Sequence, residues 1–201
     1  SEILKSINPL TGETVGNVLV TPIEEIPVIV ERASDALTSW RDLGARERGE
    51  LLKIAGDRLV NKAEELGTLI TCEMGKIHRS SVAEVSNCGK RFSRLVDEIV
   101  ASLQPQEVED RYTLSTIHYD PFGVCASIAP WNYPISMPQW MLLPALIAGN
   151  TVILKPSEET PLSGQAYVDI LNDLLPPNVL QIVHGADEQG KALVASDVDL
   201  I

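Results

Sequence analysis

The sequence predicts an α/β fold in which an N-terminal helical layer precedes part of a parallel sheet. Three observations carry this. From residue 124 onward, short apolar runs alternate with helix-like stretches across short connections, the pattern of βαβ units. Before that, Val82, Val85, Cys88, Phe92, Leu95, Ile99 and Leu103 recur at three- and four-residue steps, which predicts a long amphipathic helix. The last apolar run, 198–201, begins a strand without a return element. The sheet is therefore expected to be incomplete, because one ended there would present an unpaired edge.

Composition narrows the function. The 201 residues are 44% hydrophobic, enough to bury a core. Sixteen basic residues against 28 acidic ones leave a net charge of −12. Nucleic acid and anionic membranes both want basic surface, so neither is expected as a partner. The longest apolar run, 141–148, contains Pro144 and is too short to span a bilayer. The N-terminus has no basic region followed by an apolar core, so no secretory signal is expected. Cys72, Cys88 and Cys125 are an odd number without Cys-x-x-Cys spacing. They read as small core residues in a reducing compartment, which points to a cytoplasmic or matrix-like location. No metal site is expected.

Taken in order, the turn formers of 7–13 suggest a hairpin with 15–20 as its return strand. Thr21-Pro22-Ile23-Glu24 reads as a helix start with Thr21 as N-cap and Pro22 at the first helical position. Pro27 then predicts a kink or a late start. A second helix over 45–62 is expected to bury Leu51, Ile54, Ala55, Leu59 and Ala63. A short helix from Ala63 should end at Gly75 as a C-terminal cap. After the long amphipathic helix, 104–110 reads as a crossing segment. Residues 111–119, rich in Thr, Tyr and Ile, suit an extended strand. The alternation that follows places strands at 124–129, 151–154 and 179–183, and helices at 137–147, 162–175 and 189–195.

Two strand ends carry chemically capable side chains. The run 124–129 gives way to Pro130-Trp131-Asn132, and 151–154 gives way to Lys155-Pro156-Ser157-Glu158. In open α/β sheets, ligands bind beyond the carboxyl ends of the strands. Asn132, Lys155 and Glu158 are thus expected to meet at one crevice. A carboxamide offers donors without charge, which suits a developing oxyanion, though an Asn before Tyr-Pro also suits a turn. Ser157 could equally be an N-cap with Glu158 or Glu159 in a first helical turn.

Three segments in this order, Pro130-Trp131-Asn132-Tyr133-Pro134, then Pro144 through Val152, then Lys155-Pro156-Ser157-Glu158, resemble the cofactor side of the aldehyde dehydrogenases. The resemblance runs from Ile7-Asn8-Pro9 through Glu73-Met74-Gly75-Lys76 to Asp199-Leu200-Ile201. It implies a truncated Rossmann-like sheet, with a hairpin and helical layer over 1–110. It further implies an assembly strand over 111–120 and the first dinucleotide-binding units over 121–201. The implied activity is NAD(P)-dependent oxidation of a small aldehyde to a carboxylic acid by a homo-oligomer, dimeric or tetrameric. By the same resemblance, Asn132 stabilises the oxyanion. Lys155 and Glu158 hold the adenosine ribose, with Ser157 beside them. Ile128, Ala129, Pro130 and Trp131 line the nicotinamide side, and Gly190 packs near the adenine. Tyr133, Met137 and Trp140 match the aldehyde tunnel, although they could also be core. The Glu158 carboxylate would repel the extra phosphate of NADP, favouring NAD while leaving NADP possible.

The family's nucleophilic cysteine and general-base glutamate match nothing here, so this chain alone is expected to be inactive. A non-catalytic nucleotide-binding or subunit-interaction fragment is the alternative. The stretch from Gly185 to Lys191 copies the spacing of a phosphate-binding P-loop. Ala192 stands where Ser or Thr is required, and Asp187 and Glu188 would repel phosphate, so that reading is rejected. The run Glu73-Met74-Gly75-Lys76 is similar to members acting on semialdehydes, but its expected place is away from the tunnel.

Overall fold

The computed structural model describes residues 2–201. Strands β1 (Ile3–Ile7) and β2 (Thr14–Leu19) pair antiparallel. Asn8 builds their connection: its side chain accepts from the amides of Leu10 and Thr11, and Gly12 adopts a positive φ. Helices α1 (Ile26–Asp42), α2 (Ala45–Asn61), α3 (Ala63–Met74) and α4 (His78–Ser102) follow. Helix α1 does start late. A single 3-10 turn occupies Ile23–Glu25, and Pro27 falls in the first turn of α1, where its missing N–H costs nothing. Thr21 is not an N-cap; its Oγ1 instead accepts from the His184 amide at 3.0 Å.

On α2 the buried face differs from the expected one. Leu51 and Ile54 are exposed, while Arg48, Gly49, Leu52, Ala55, Gly56 and Leu59 are buried. The small residues decide this. A Cβ at Gly56 would come within 2.8 Å of Phe92, and one at Gly89 within 2.6 Å of the Gly56 carbonyl, so α2 and α4 touch backbone to backbone there. Arg48, on the same face, donates to the carbonyls of Ile147, Trp40, Arg41 and Leu43, satisfying helix C-terminal acceptors. Gly75 ends α3 in the left-handed conformation.

The segment read as a crossing connection contains a strand, β3 (Gln106–Glu109), paired antiparallel with β4 (Leu114–Ile117). Its alternation was hidden because neither face packs on the core; every residue of both strands is exposed. Then come β5 (Val124–Ile128), α5 (Ser136–Ala148), β6 (Thr151–Lys155), α6 (Pro161–Asn172), β7 (Leu180–Ile182) and α7 (Asp187–Val194). The three strands form a parallel sheet in the order β5-β6-β7. Leu200 bridges to Cys125 in parallel, on the other side of β5. The chain thus reverses direction across the sheet at β5, a topological switch point.

Both faces of the sheet are covered, as parallel strands require. Val124, Ala126, Ile153 and Val183 pack under α1 and α7, with Ile26, Val30, Ala33 and Leu193. Cys125, Val152, Leu154 and Leu180 face the larger core, shared with α2 through α6. The helical layer is therefore divided: most of α1 lies on one face, and α2–α4 lie beyond α5 and α6 on the other.

Candidate functional site

A cleft of ≈ 440 Å³ opens beyond the carboxyl ends of β5 and β6. Ile128, Ala129 and Pro130 form one wall, Lys155, Ser157 and Glu158 another, and α7 closes the third with Gly190, Lys191 and Val194. Lys155 is the last residue of β6 and pairs in register with Ile128. Its ammonium donates to the Pro156 carbonyl at 3.1 Å and sits 3.5 Å from Glu158 Oε2. The lysine side chain is 6% exposed and the glutamate 40%, so the cation is fixed and the carboxylate open. A cation and a carboxylate on one wall can hold two neighbouring hydroxyls, one accepting and one donating. A Cβ at Gly190 would stand 3.6 Å from the lysine stem, an ordinary contact, so the glycine backbone borders the cleft directly beside Lys155.

Behind the lysine lies His184, which sequence reading passed over. Burial, reinforced by the nearby Lys155 charge, lowers its pKa to about 4. The neutral ring bonds Gln165 Oε1 at 2.7 Å through Nε2, while Nδ1 is buried without a partner among the described residues. Ser157 does not cap a helix. Its Oγ accepts from the Glu159 amide in a local turn, and α6 begins at Pro161. The cap of α6 comes from α3: the Glu73 carboxylate accepts from the amides of Leu162 and Ser163 and from the Ser163 hydroxyl. Burial raises the pKa of Glu73, and these hydrogen bonds oppose the shift.

The loop after β5 is held differently. Lys76, directly after the Gly75 cap, donates to the Asn132 carbonyl at 3.1 Å and lies 3.6 Å from the centroid of the Tyr133 ring. Its ammonium also pairs with Glu84 Oε2 at 2.5 Å. Glu84 Oε1 accepts from the amides of Ile135 and Ser136, where α5 begins. Lys76 is thus in contact with Tyr133, contrary to the expectation that its motif sits apart; the left-handed turn at Gly75 redirects the chain towards this loop. Glu84 was legible in principle. It occupies the buried stripe of α4 with Ser81, Val85 and Cys88, where a carboxylate needs a partner.

A second cleft, ≈ 530 Å³, lies between α4 and α5. Tyr133, Met137 and Trp140 line it with Cys88, Arg91 and Leu95. All three expected tunnel residues are exposed rather than core. Cys88 is buried beside Ser136 Oγ at 3.2 Å, and burial raises its thiol pKa. Cys125 is buried in β5, and desolvation with the Asp199 charge pushes its pKa up to about 11. Neither is a thiolate at neutral pH.

Asn132 therefore does not meet Lys155 and Glu158 in the one crevice expected of the three. Ile128, Ala129, Pro130, Lys155, Ser157, Glu158 and Gly190 share the first cleft, and Tyr133, Met137 and Trp140 share the second. Trp131 and Asn132 are exposed on the loop joining them and line neither. The candidate P-loop lysine, Lys191, is exposed and paired with Glu188 at 3.0 Å. Among the described residues, no group of His, Cys, Asp and Glu could hold a metal ion, and no helix is long and apolar enough to cross a membrane.

Residues 1–201 match a family model described as "Aldehyde dehydrogenase family". Mitochondrial succinate-semialdehyde dehydrogenase of Arabidopsis thaliana is 35% identical over 201 residues, covering 98% of this chain and 38% of the relative. Among solved structures, NADP-dependent glyceraldehyde-3-phosphate dehydrogenase from Bacillus halodurans C-125, complexed with NADP, superposes with a TM-score of 0.88. It is 28% identical, with 96% of this chain and 42% of that one covered. PnpE in complex with nicotinamide adenine dinucleotide gives a TM-score of 0.88 at 31% identity, covering 96% of this chain and 40% of that one. The chain spans about two fifths of the length of these relatives.

Proposed function

The chain belongs to the aldehyde dehydrogenase family, and we propose that it forms the cofactor side of an enzyme oxidising an aldehyde to a carboxylic acid with NAD(P). The observation that carries this reading is the Lys155–Glu158 pair on the wall of a cleft at the switch point of a parallel sheet. The donor set fits an adenosine ribose: one buried ammonium to donate, one open carboxylate to accept, and the Gly190 backbone bordering the cleft beside Lys155. Ile128, Ala129, Pro130 and Trp131 guide the other half of the dinucleotide towards the second cleft. When bound, the dinucleotide supplies the hydride acceptor.

Asn132 donates from its carboxamide to the oxygen that gains charge as the carbonyl is attacked. Tyr133, Met137 and Trp140 give the aldehyde an apolar approach. None of Cys72, Cys88 and Cys125 matches the family's nucleophile, and Cys88 and Cys125 are buried protonated thiols, so this chain by itself turns over no aldehyde. Glu158 disfavours a 2′-phosphate, so NAD binds more tightly than NADP. The exposed β3–β4 hairpin, with Val108, Leu114 and Ile117, supports assembly into a homo-oligomer, dimer or tetramer. A reducing compartment such as the cytoplasm suits the three free cysteines.

Calorimetric titration with NAD and NADP tests the cleft. Binding weakened in both Lys155→Ala and Glu158→Ala, with NADP gaining on NAD in Glu158→Gln, is the expected result. Unchanged affinity in both alanine variants would remove the ribose assignment. NAD-dependent aldehyde oxidation by these 201 residues alone would overturn the statement that they lack the nucleophile.

A further inference from the structure

We propose that Lys76 and Glu84 are positioning residues for Asn132, an inference that rests on the oxyanion reading of that residue. The loop from Asn132 to Ser136 is gripped at both ends by this one ion pair. Lys76 holds the carbonyl of Asn132 at 3.1 Å, and Glu84 holds the amides of Ile135 and Ser136 at 3.1 and 3.0 Å. The ammonium and carboxylate meet at 2.5 Å, and the Glu84 side chain is 1% exposed. Charge-assisted bonds of this kind are short and about twice as strong as neutral ones. The Tyr133 ring, stacked on the ammonium, fixes the residue after Asn132 as well.

Lys76 takes the backbone oxygen of Asn132 and not its carboxamide, so the donors needed by an oxyanion are left uncommitted to it. What the pair sets is the direction of the Asn132 Cα–Cβ bond. Both anchors stand on rigid ground. Glu84 lies in the interior of α4, which packs on α2, α3 and α5. Lys76 follows a glycine whose φ of +74° ends α3 in the left-handed conformation. An oxyanion donor must lie near 3 Å from its target to act, so a loop freed to move by an ångström costs about 10²-fold in rate.

The test is a double-mutant cycle in the complete dehydrogenase. Lys76→Ala is expected to lower kcat by about 10²-fold, with KM for NAD unchanged and with Lys76→Arg recovering part of the loss. In an Asn132→Ala background, Lys76→Ala is expected to lower kcat no further. Equal losses in both backgrounds would overturn the positioning role, leaving Lys76 a general support of the fold. Should Lys76→Ala not fold, the same cycle with Lys76→Arg and Glu84→Gln decides by the same non-additivity. If Asn132→Ala alone keeps full kcat, the oxyanion reading itself falls, an outcome distinct from additive losses.

Discussion

The loops that leave β5 and β6 sit side by side in the sheet but are held by opposite means. After β6, Lys155 bonds Pro156 and Glu158, and Ser157 bonds Glu159, all within three residues. After β5, the segment 132–136 is held by Lys76 and Glu84, more than fifty residues away. The first loop is a local structure that the sheet merely presents. The second exists only because α3 and α4 are packed beside it. A mutation in the first should therefore change binding and little else, whereas one in the anchors of the second should change folding and geometry together.

The largest effect should come from Glu84→Ala. It leaves two amides without their acceptor and the Lys76 ammonium without its counter-charge in a buried place, and is expected to destabilise by about 3–5 kcal/mol. Urea unfolding measures it; a loss as small as that of a surface substitution would mean the β5 loop holds itself as the β6 loop does. Next is Asn132→Ala, which keeps the backbone carbonyl that Lys76 grips. We expect kcat of the complete enzyme to fall by about 10²–10³-fold, with the unfolding midpoint unchanged.

A smaller effect sharpens the comparison from the β6 side. His184 is buried within reach of the Lys155 charge, and its folded pKa of about 4 lies below the ordinary 6.5. Between those values the unfolded chain binds more protons, so stability rises with pH there. It is complete above about pH 6.5 and lost as the pH falls through 4. The shift corresponds to a contribution on the order of 3 kcal/mol. Between pH 7 and pH 4, the wild type should lose about that much more than His184→Gln. Equal losses in the two would show that the folded imidazole takes up its proton at the ordinary pH, which overturns this prediction. The Glu158→Gln change in NADP preference is expected to be the smallest effect, since that carboxylate is 40% exposed and solvent screens it.

Periodicity and turn chemistry made most of the elements legible. The β1–β2 hairpin, the late start of α1, the Gly75 cap and every element of the parallel sheet follow from spacing and from Gly, Pro and Asn at turns. Where reading went astray, a partner distant in sequence had taken over. Thr21 was spent on His184 instead of on its own helix, and the cap of α6 came from Glu73 instead of Ser157. On α2, the glycines drew one face into α4 and turned Leu51 and Ile54 outward.

By itself, the sequence determined the βα alternation, the Pro-Trp-Asn and Lys-Pro-Ser-Glu segments and hence the family resemblance, because these depend on residues near one another in the chain. Only the tertiary structure decided that the candidate residues fall in two clefts with Asn132 on the loop between them, and that Lys76 and Glu84 anchor that loop. A hydrogen bond or ion pair forms wherever packing brings donor and acceptor together, and the spacing of residues along a chain does not record which distant elements will pack.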